Sequence, residues 1–521
     1  MIGCGTEVIR VTETSPLPSS RERMAVAMTC LAIAGSCAGV ALATVVARAV
    51  GVATLVPAVA GTVIGIVASC ALGRRWLAAR LPAELDGWFG RRIAVFLWCA
   101  AALLAIANTA RIGLFVADPA QHWASAFPPM ASLARHQCVA AYARAGELAA
   151  AGQANLWNPT DYGKPFPDGS ESHPVSELPG LTPYLGDPFE YPPTFAVIPR
   201  AAVAVTGDYQ ILRAAWFGIS AVGFWIAFVA LAIWIAGRPG ATALLLAPAI
   251  ALSMPVVLGL QFGQAHLLVI AAAIAAMMLF ARGRRLGGAL LLGFATVSKI
   301  FPGLLLVHLA VRRRWRDLAA AIAAIAALIG LAALVLGPAT LAAFVSEHLP
   351  RMASGEAFSF TEDNPDNHSL YGLAFKLAKL GVSGADRHLA SLLAWGWSAV
   401  ALILTVLGSR GRPRPQRDAV LWLGIICLAT LRSPFAPTYT AIGTLWLLGV
   451  AAGLLAPRRW LTALLAICWI LLQGSPPIHS DAWNALQSLP AQAASIAIAV
   501  LAVWPRRAEP ASAPASLDAA S

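Results

Sequence analysis

The stretch Arg282–Arg316 reads RGRRLGGALLLGFATVSKIFPGLLLVHLAVRRRWR. Its apolar run, Leu286–Val311, is long enough to cross ~30 Å of hydrocarbon, which needs ~20 residues. Both ends, however, carry arginine clusters: Arg282, Arg284 and Arg285 before it, and Arg312, Arg313, Arg314 and Arg316 after it. The positive-inside rule assigns both clusters to the cytoplasm. The chain must therefore enter and leave on one side, and Lys299 and Pro302 at the centre mark the break. This predicts two short half-helices meeting inside the protein, because broken backbone at membrane depth survives only where protein or a cavity surrounds it.

The rest of the sequence fits that reading. Of 521 residues 59% are hydrophobic and 12% charged, against roughly a quarter charged in a water-soluble globule. The net charge of +12 comes from arginines set in short clusters between apolar runs, which marks membrane topology and argues for no nucleic-acid partner. Seven of the eight cysteines fall in the amino-terminal tail or in apolar segments, and only Cys138 falls in a loop. No metal-ligand spacing accompanies them, so neither a bound metal nor another cofactor is expected.

Apolar segments recur at about Val26–Val46, Val52–Leu72, Ile93–Val116, Ile211–Ala236, Thr242–Leu260 and Leu267–Phe280. After Leu286–Val311 come Leu318–Leu336, Leu389–Leu407, Ala419–Leu431, Ala441–Leu455, Leu461–Leu472 and Ala491–Val503. The expected fold is all-α and polytopic, with about 12–13 apolar segments including the half-helix pair. The expected organisation is a cytoplasmic tail over 1–23, an amino-terminal helical hairpin over 24–73 and a transmembrane core over 92–455. Carboxyl-terminal helices over 456–504 and a Pro/Ala/Ser-rich disordered tail over 505–521 follow. Arg74, Arg75, Arg80, Arg91 and Arg92 place the amino terminus inside, so the polar loop 117–190 emerges outside. Within that loop Ser132–Ala151 has the alternation of an amphipathic helix lying on the membrane surface. Pro193–Thr206 dips in or lies flat rather than crossing.

Ionisable and amide groups at membrane depth are costly and each invites a functional reading. Three sets stand out: Gln261, Gln264 and His266 in LQFGQAHLL, Lys299 in VSKIFPGLL, and Arg432 in LATLRSPFAPTY. Cations beside helix-breaking prolines suit a phosphate, which a fixed positive charge and unpaired backbone donors both stabilise. The outer loops supply the carboxylates Asp118, Asp161, Asp168, Glu171, Glu177, Asp187 and Glu190, then Glu362, Asp363 and Asp366 beside Asn367 and His368. A carboxylate or imidazole near the bilayer surface could deprotonate an acceptor hydroxyl. No dinucleotide fingerprint or P-loop follows a strand, so a soluble nucleotide donor has no binding fold here.

Several of these stretches together resemble glycosyltransferase family 87, the multi-pass mannosyltransferase-like proteins of the GT-C superfamily. They are Glu190-Tyr191-Pro192-Pro193, Gly263-Gln264, Leu286-Gly287-Gly288 leading to Lys299 and Pro302, Asn367-His368-Ser369-Leu370-Tyr371-Gly372, and Ser433-Pro434. The resemblance covers roughly Ile93 to Leu455 and makes the first two spans an addition. It implies a polyprenyl-phosphate sugar donor, typically of mannose, and an aspartate base in the first outer loop. Counting back from Gly152 and Trp157 puts His136, Gln137 or Cys138 where that aspartate stands, a departure that leaves the base open among Asp118, His136 and Glu190. His266 stands where the family commonly has an asparagine.

The expected activity is transfer of a hexose to a lipid or glycan acceptor at the outer face of the plasma (inner) membrane. Lys299 and Arg432 would hold the donor phosphate, with Tyr191, Gln264, His266, Asn367 and His368 binding substrate. Two rival classes are a transporter or flippase, since broken helices also build substrate pathways, and an inactive structural member of an envelope complex.

Overall fold

A computed structural model of the chain describes residues 20–88, 92–165, 172–174, 176, 178–181, 184–362, 364–411, 413–455, 459–474 and 480–504. The first 19 residues of the expected tail, the acids Asp168, Glu171, Glu177 and Asp363, Arg91, and the segment expected to be disordered after Trp504 lie outside them.

The described residues form helices α1 Arg21–Ala49, α2 Leu55–Ala78, α3 Arg92–Ala117, α4 Ala131–Arg135, α5 Cys138–Ala150, α6 Pro193–Val205, α7 Tyr209–Ile235 and α8 Gly237–Leu245. Next come α9 Ala247–Leu252, α10 Met254–Gln261, α11 His266–Ala281, α12 Arg285–Ser298, α13 Leu304–Val311, α14 Trp315–Leu336, α15 Pro338–Ala343 and α16 Leu349–Ser354. The last are α17 Leu370–Lys379, α18 Arg387–Ser409, α19 Pro415–Thr430, α20 Ile442–Leu455, α21 Arg459–Leu471 and α22 Asp481–Val503. A two-stranded antiparallel hairpin, Gly163–Pro165 with Ser172–Pro174, is the described β-structure. Among the described residues eight helices are long and apolar enough to cross a membrane, or nine counting one bent pair. Shorter apolar helices are Pro193–Val205, Arg285–Ser298, Phe301–Val311 and Trp460–Leu471.

Several helices start where the sequence supplies a side-chain cap for the orphan backbone N–H groups of a first turn. Asp208 accepts from Gln210 and Ile211 at the start of α7, Asp386 from Leu389 at α18, and Ser369 from Gly372 at α17. Small residues let α1 and α2 approach closely. A Cβ on Gly39 would meet the Gly61 carbonyl oxygen at 2.0 Å. The hairpin is tied to the rest by Arg48 on Asp208 and by Thr54 Oγ1 donating to the Ala117 carbonyl at 2.9 Å. The outer face of α2, with Val56, Ile64 and Leu72, is exposed and apolar, the surface lipid would cover.

The central segment breaks as its flanking arginines require. Lys299 leaves the helical conformation at the end of α12, a 3₁₀ turn Phe301–Gly303 follows, and α13 resumes. Arg285, at the start of α12, reaches one oxygen of Asp317 at 3.1 Å, and Arg314, just past α13, reaches the other at 2.7 Å. One carboxylate touching both ends shows that the segment returns to the side from which it came.

Two readings are corrected. Thr242–Leu260 is not one straight span: it is α8, α9 and α10, restarted at Pro248 and Pro255, and α10 meets α11 at a bend of 111°. Gly263 forms that bend with φ 64°, a left-handed conformation that glycine adopts without steric cost. Ser132–Ala151 is not a surface helix: it divides at His136–Gln137, and α5 is buried along nearly its whole length. The reason is α6, which packs so near that a Cβ on Gly146 would meet the Pro199 carbonyl oxygen at 2.6 Å.

Candidate functional site

The helix breaks converge on one cavity of about 1200 Å³. The 117–190 loop forms one wall, the α10–α11 bend and the Lys299 break another, and the segment 429–440 a third. Seven of the ten residues singled out from sequence line it: His136, Glu190, Tyr191, Gln264, His266, Lys299 and Arg432. Asp118, Asn367 and His368 do not.

Lys299 Nζ donates to Gln264 Oε1 at 2.9 Å and lies 5.1 Å from the centre of the Tyr191 ring. The Tyr191 hydroxyl donates to the same Oε1 at 2.5 Å. Tyr142, 2.7 Å from that hydroxyl, must then donate to it, while accepting from the Ala265 N–H at 3.2 Å. This relay fixes the ammonium without neutralising it, since no carboxylate pairs with Lys299 among the described residues. Gln264, read from sequence as a substrate-binding residue, also donates from its Nε2 to Cys138 Sγ at 3.2 Å. Arg432 likewise has no carboxylate partner among the described residues. Its guanidinium sits 5.1 Å from the Trp395 ring centre and donates to Ser398 Oγ at 3.3 Å.

Glu190 Oε2 lies 2.9 Å from His348 Nε2. His348 belongs to a π-helical turn, Phe344–His348, and stacks on Trp157 with ring centres 5.2 Å apart. Such turns occur frequently at functional sites. Burial raises the Glu190 carboxyl above its ordinary value, and His348 offsets part of that rise. His136 Nδ1 faces Asp187 at 3.0 Å, and its Nε2 faces Cys138 Sγ at 3.9 Å. Burial alone would pull this imidazole down, but Asp187, helped by Cys138, holds it well above the usual histidine range.

The three residues away from the cavity have other partners. Asp118 accepts from the Ala120 N–H and from Gln121 Nε2, each at 3.0 Å, closing its own turn. Asn367 is fully buried and clamps the 433–436 segment, donating to the Pro434 carbonyl at 2.8 Å and accepting from the Ala436 N–H at 3.0 Å. A Cβ on Gly372 would lie 2.5 Å from Asn367 Cγ, so the NHSLYG stretch is a packing unit that carries the Arg432 turn. His368 Nε2 is 3.2 Å from Asp366 Oδ1, and both line a second, small cavity of about 20 Å³.

Sequence reasoning missed His348 and left Asp187 among many loop acids. Nothing local marks either one; their partners, Glu190 and His136, are distant in sequence. His266 Nε2, buried on the cavity wall, has no hydrogen-bond partner among the described residues.

The model of glycosyltransferase family 87 matches residues 189–434, a little under half of the chain. It begins beside Glu190 and ends at Pro434, enclosing Lys299, Asn367 and Arg432, and it agrees with the resemblance read from the motifs. The match indicates a membrane glycosyltransferase, with a sugar donor and an acceptor. No curated protein matches the chain, and no solved structure does.

Proposed function

We infer that this membrane glycosyltransferase moves a hexose, most simply mannose, from a polyprenyl-phosphate donor to a lipid or glycan acceptor. The reaction takes place on the non-cytoplasmic face of the plasma (inner) membrane. The observation that carries this reading is the pair Lys299 and Arg432, two cations without carboxylate partners among the described residues, on the wall of one cavity at breaks in membrane helices. An unneutralised cation in such a place suits an anion from outside the protein. A phosphate at the end of a lipid tail supplies one.

Glu190 is the base. It lines the same cavity and adjoins Tyr191 of the Lys299 relay, and its basicity is raised by burial while His348 orients it. His136 is less suited, because its Nδ1 is taken by Asp187 and its Nε2 faces Cys138. In the step, Glu190 takes the proton of an acceptor hydroxyl, whose oxygen bonds to the sugar's anomeric carbon as the bond to the phosphate oxygen breaks. Polyprenyl phosphate leaves with its charge held by Lys299 and Arg432. Such positioned cations lower the barrier because they need not reorganise as charge develops. His266, with its free Nε2, is placed to bind a sugar hydroxyl.

Incubating the purified protein with labelled polyprenyl-phosphate mannose and native membrane lipids tests the reading. A labelled glycolipid or glycan should form. Label that crosses a bilayer without joining an acceptor would instead favour a transporter.

A further inference from the structure

Cys138 opens helix α5, a 13-residue helix, and lines the large cavity. Three features collect around its sulfur. His136 Nε2 lies 3.9 Å away, and that ring is held by Asp187 on its other nitrogen. Gln264 Nε2 donates to the sulfur at 3.2 Å. Lys299 is close enough to interact with it electrostatically. The other ionisable groups that interact with it, Tyr142, Tyr191, Tyr209 and Tyr439, are phenols. A cation, an amide donor and a helix N-terminus all stabilise negative charge on sulfur, and carboxylate–imidazole–thiol is the order found where a base activates a nucleophile.

The cavity makes this thiol reachable. Among the described cysteines Cys138, itself buried in the protein, alone lines it; Cys30, Cys37 and Cys427 are buried elsewhere, and Cys70, Cys99 and Cys468 are more exposed but lie off the cavity. The unpartnered His266 Nε2 on the same wall marks that space as one built to receive polar molecules.

We propose that Cys138, set between the Gln264 amide and the His136–Asp187 pair, is a modification site that small hydroperoxides oxidise to a sulfenic acid. The sulfur attacks one peroxide oxygen; the S–O bond forms as the O–O bond breaks, and sulfur loses two electrons. The departing hydroxide leaves as water with the thiol's proton, passed through His136, so the products are the sulfenic acid and water. The step needs no sugar donor and stands whether or not the transfer reaction does. Once oxidised, the sulfur bears an oxygen against the Gln264 amide and so alters the relay that positions Lys299.

The test treats the full-length purified protein with hydrogen peroxide, traps sulfenic acid with a cyclic 1,3-dione, and follows the Cys138 peptide by mass spectrometry over time. The adduct should form at Cys138. Free cysteine is only a few per cent thiolate at pH 7, so removing the activating charge in His136→Gln or Asp187→Asn should slow adduct formation about tenfold or more. Asp187→Asn preserves side-chain shape and carries the comparison if His136→Gln loses its melting transition. No adduct at Cys138 in the parent, or equal rates in parent and Asp187→Asn, overturns the proposal.

Discussion

The Lys299 ammonium and the Gln264 amide oxygen are 2.9 Å apart across two separate helix breaks, one in the α12–α13 segment and one in the α10–α11 bend. Neither break is a strong signal alone. Joined, they hold a positive charge at a fixed point on the wall of the large cavity, with Tyr191 and Tyr142 extending the hydrogen bonds into the 117–190 loop.

Glu190→Gln removes the base but keeps the side chain's shape. Turnover should fall ~100-fold or more, since general-base contributions are of order 10²–10⁴. Donor binding should be retained, because the cations are untouched. Steady-state rates at saturating donor check this, and full turnover in the variant would remove Glu190 from the mechanism.

The Glu190–His348 pair also predicts a pH effect. Burial raises the Glu190 carboxyl and His348 partly lowers it again, so His348→Asn should raise it further. A base works only when deprotonated, so the rate is lost as pH falls through that value. The acid limb of the rate profile should therefore move to higher pH in His348→Asn. An unmoved limb would separate His348 from the base.

Asp118→Asn should leave activity within a few-fold of the parent, as for a substitution that spares the site's own groups. Its carboxylate closes a turn and lies off the cavity wall. A rate loss as large as that for Glu190→Gln would return Asp118 to the chemistry.

Asn367→Ala strands the Ala436 and Ser369 N–H groups, both of which Asn367 satisfies in a buried setting, and leaves the Pro434 carbonyl with the Ser369 hydroxyl as its donor. Each unpaired buried group costs ~1–3 kcal/mol, so the melting temperature should drop clearly. Donor affinity should weaken as well, since this clamp carries the turn that bears Arg432. An unchanged melting temperature would contradict the clamp.

The membrane fold was legible because its signals are local. Runs of apolar residues, the arginine clusters and the paradox of Leu286–Val311 each lie in one stretch, and Asp317 touching both Arg285 and Arg314 is their structural counterpart. The bend at Gly263 and the burial of α5 were not legible, because they depend on what packs against those segments. The same divide runs through the site. Lys299 and Arg432 declare themselves by being charged in apolar surroundings, whereas the roles of Asn367, His348 and Asp187 come from partners far along the chain. Gln264 stood out in the sequence as a polar group in apolar surroundings, whereas the convergence of Lys299 and Tyr191 on its amide oxygen depends on partners far along the chain.

Binding of a polyprenyl-phosphate sugar to the parent and to Lys299→Met tests the central claim most directly. Methionine keeps an apolar stem and deletes the charge, and Gln264 Oε1 still accepts from Tyr191, so no buried acceptor is orphaned. A charge-assisted contact contributes roughly 1.5–3 kcal/mol, so donor affinity should fall about 10- to 150-fold while the melting temperature holds. If Lys299→Met binds the donor as tightly as the parent does, the phosphate lies elsewhere and the reading of this cavity fails.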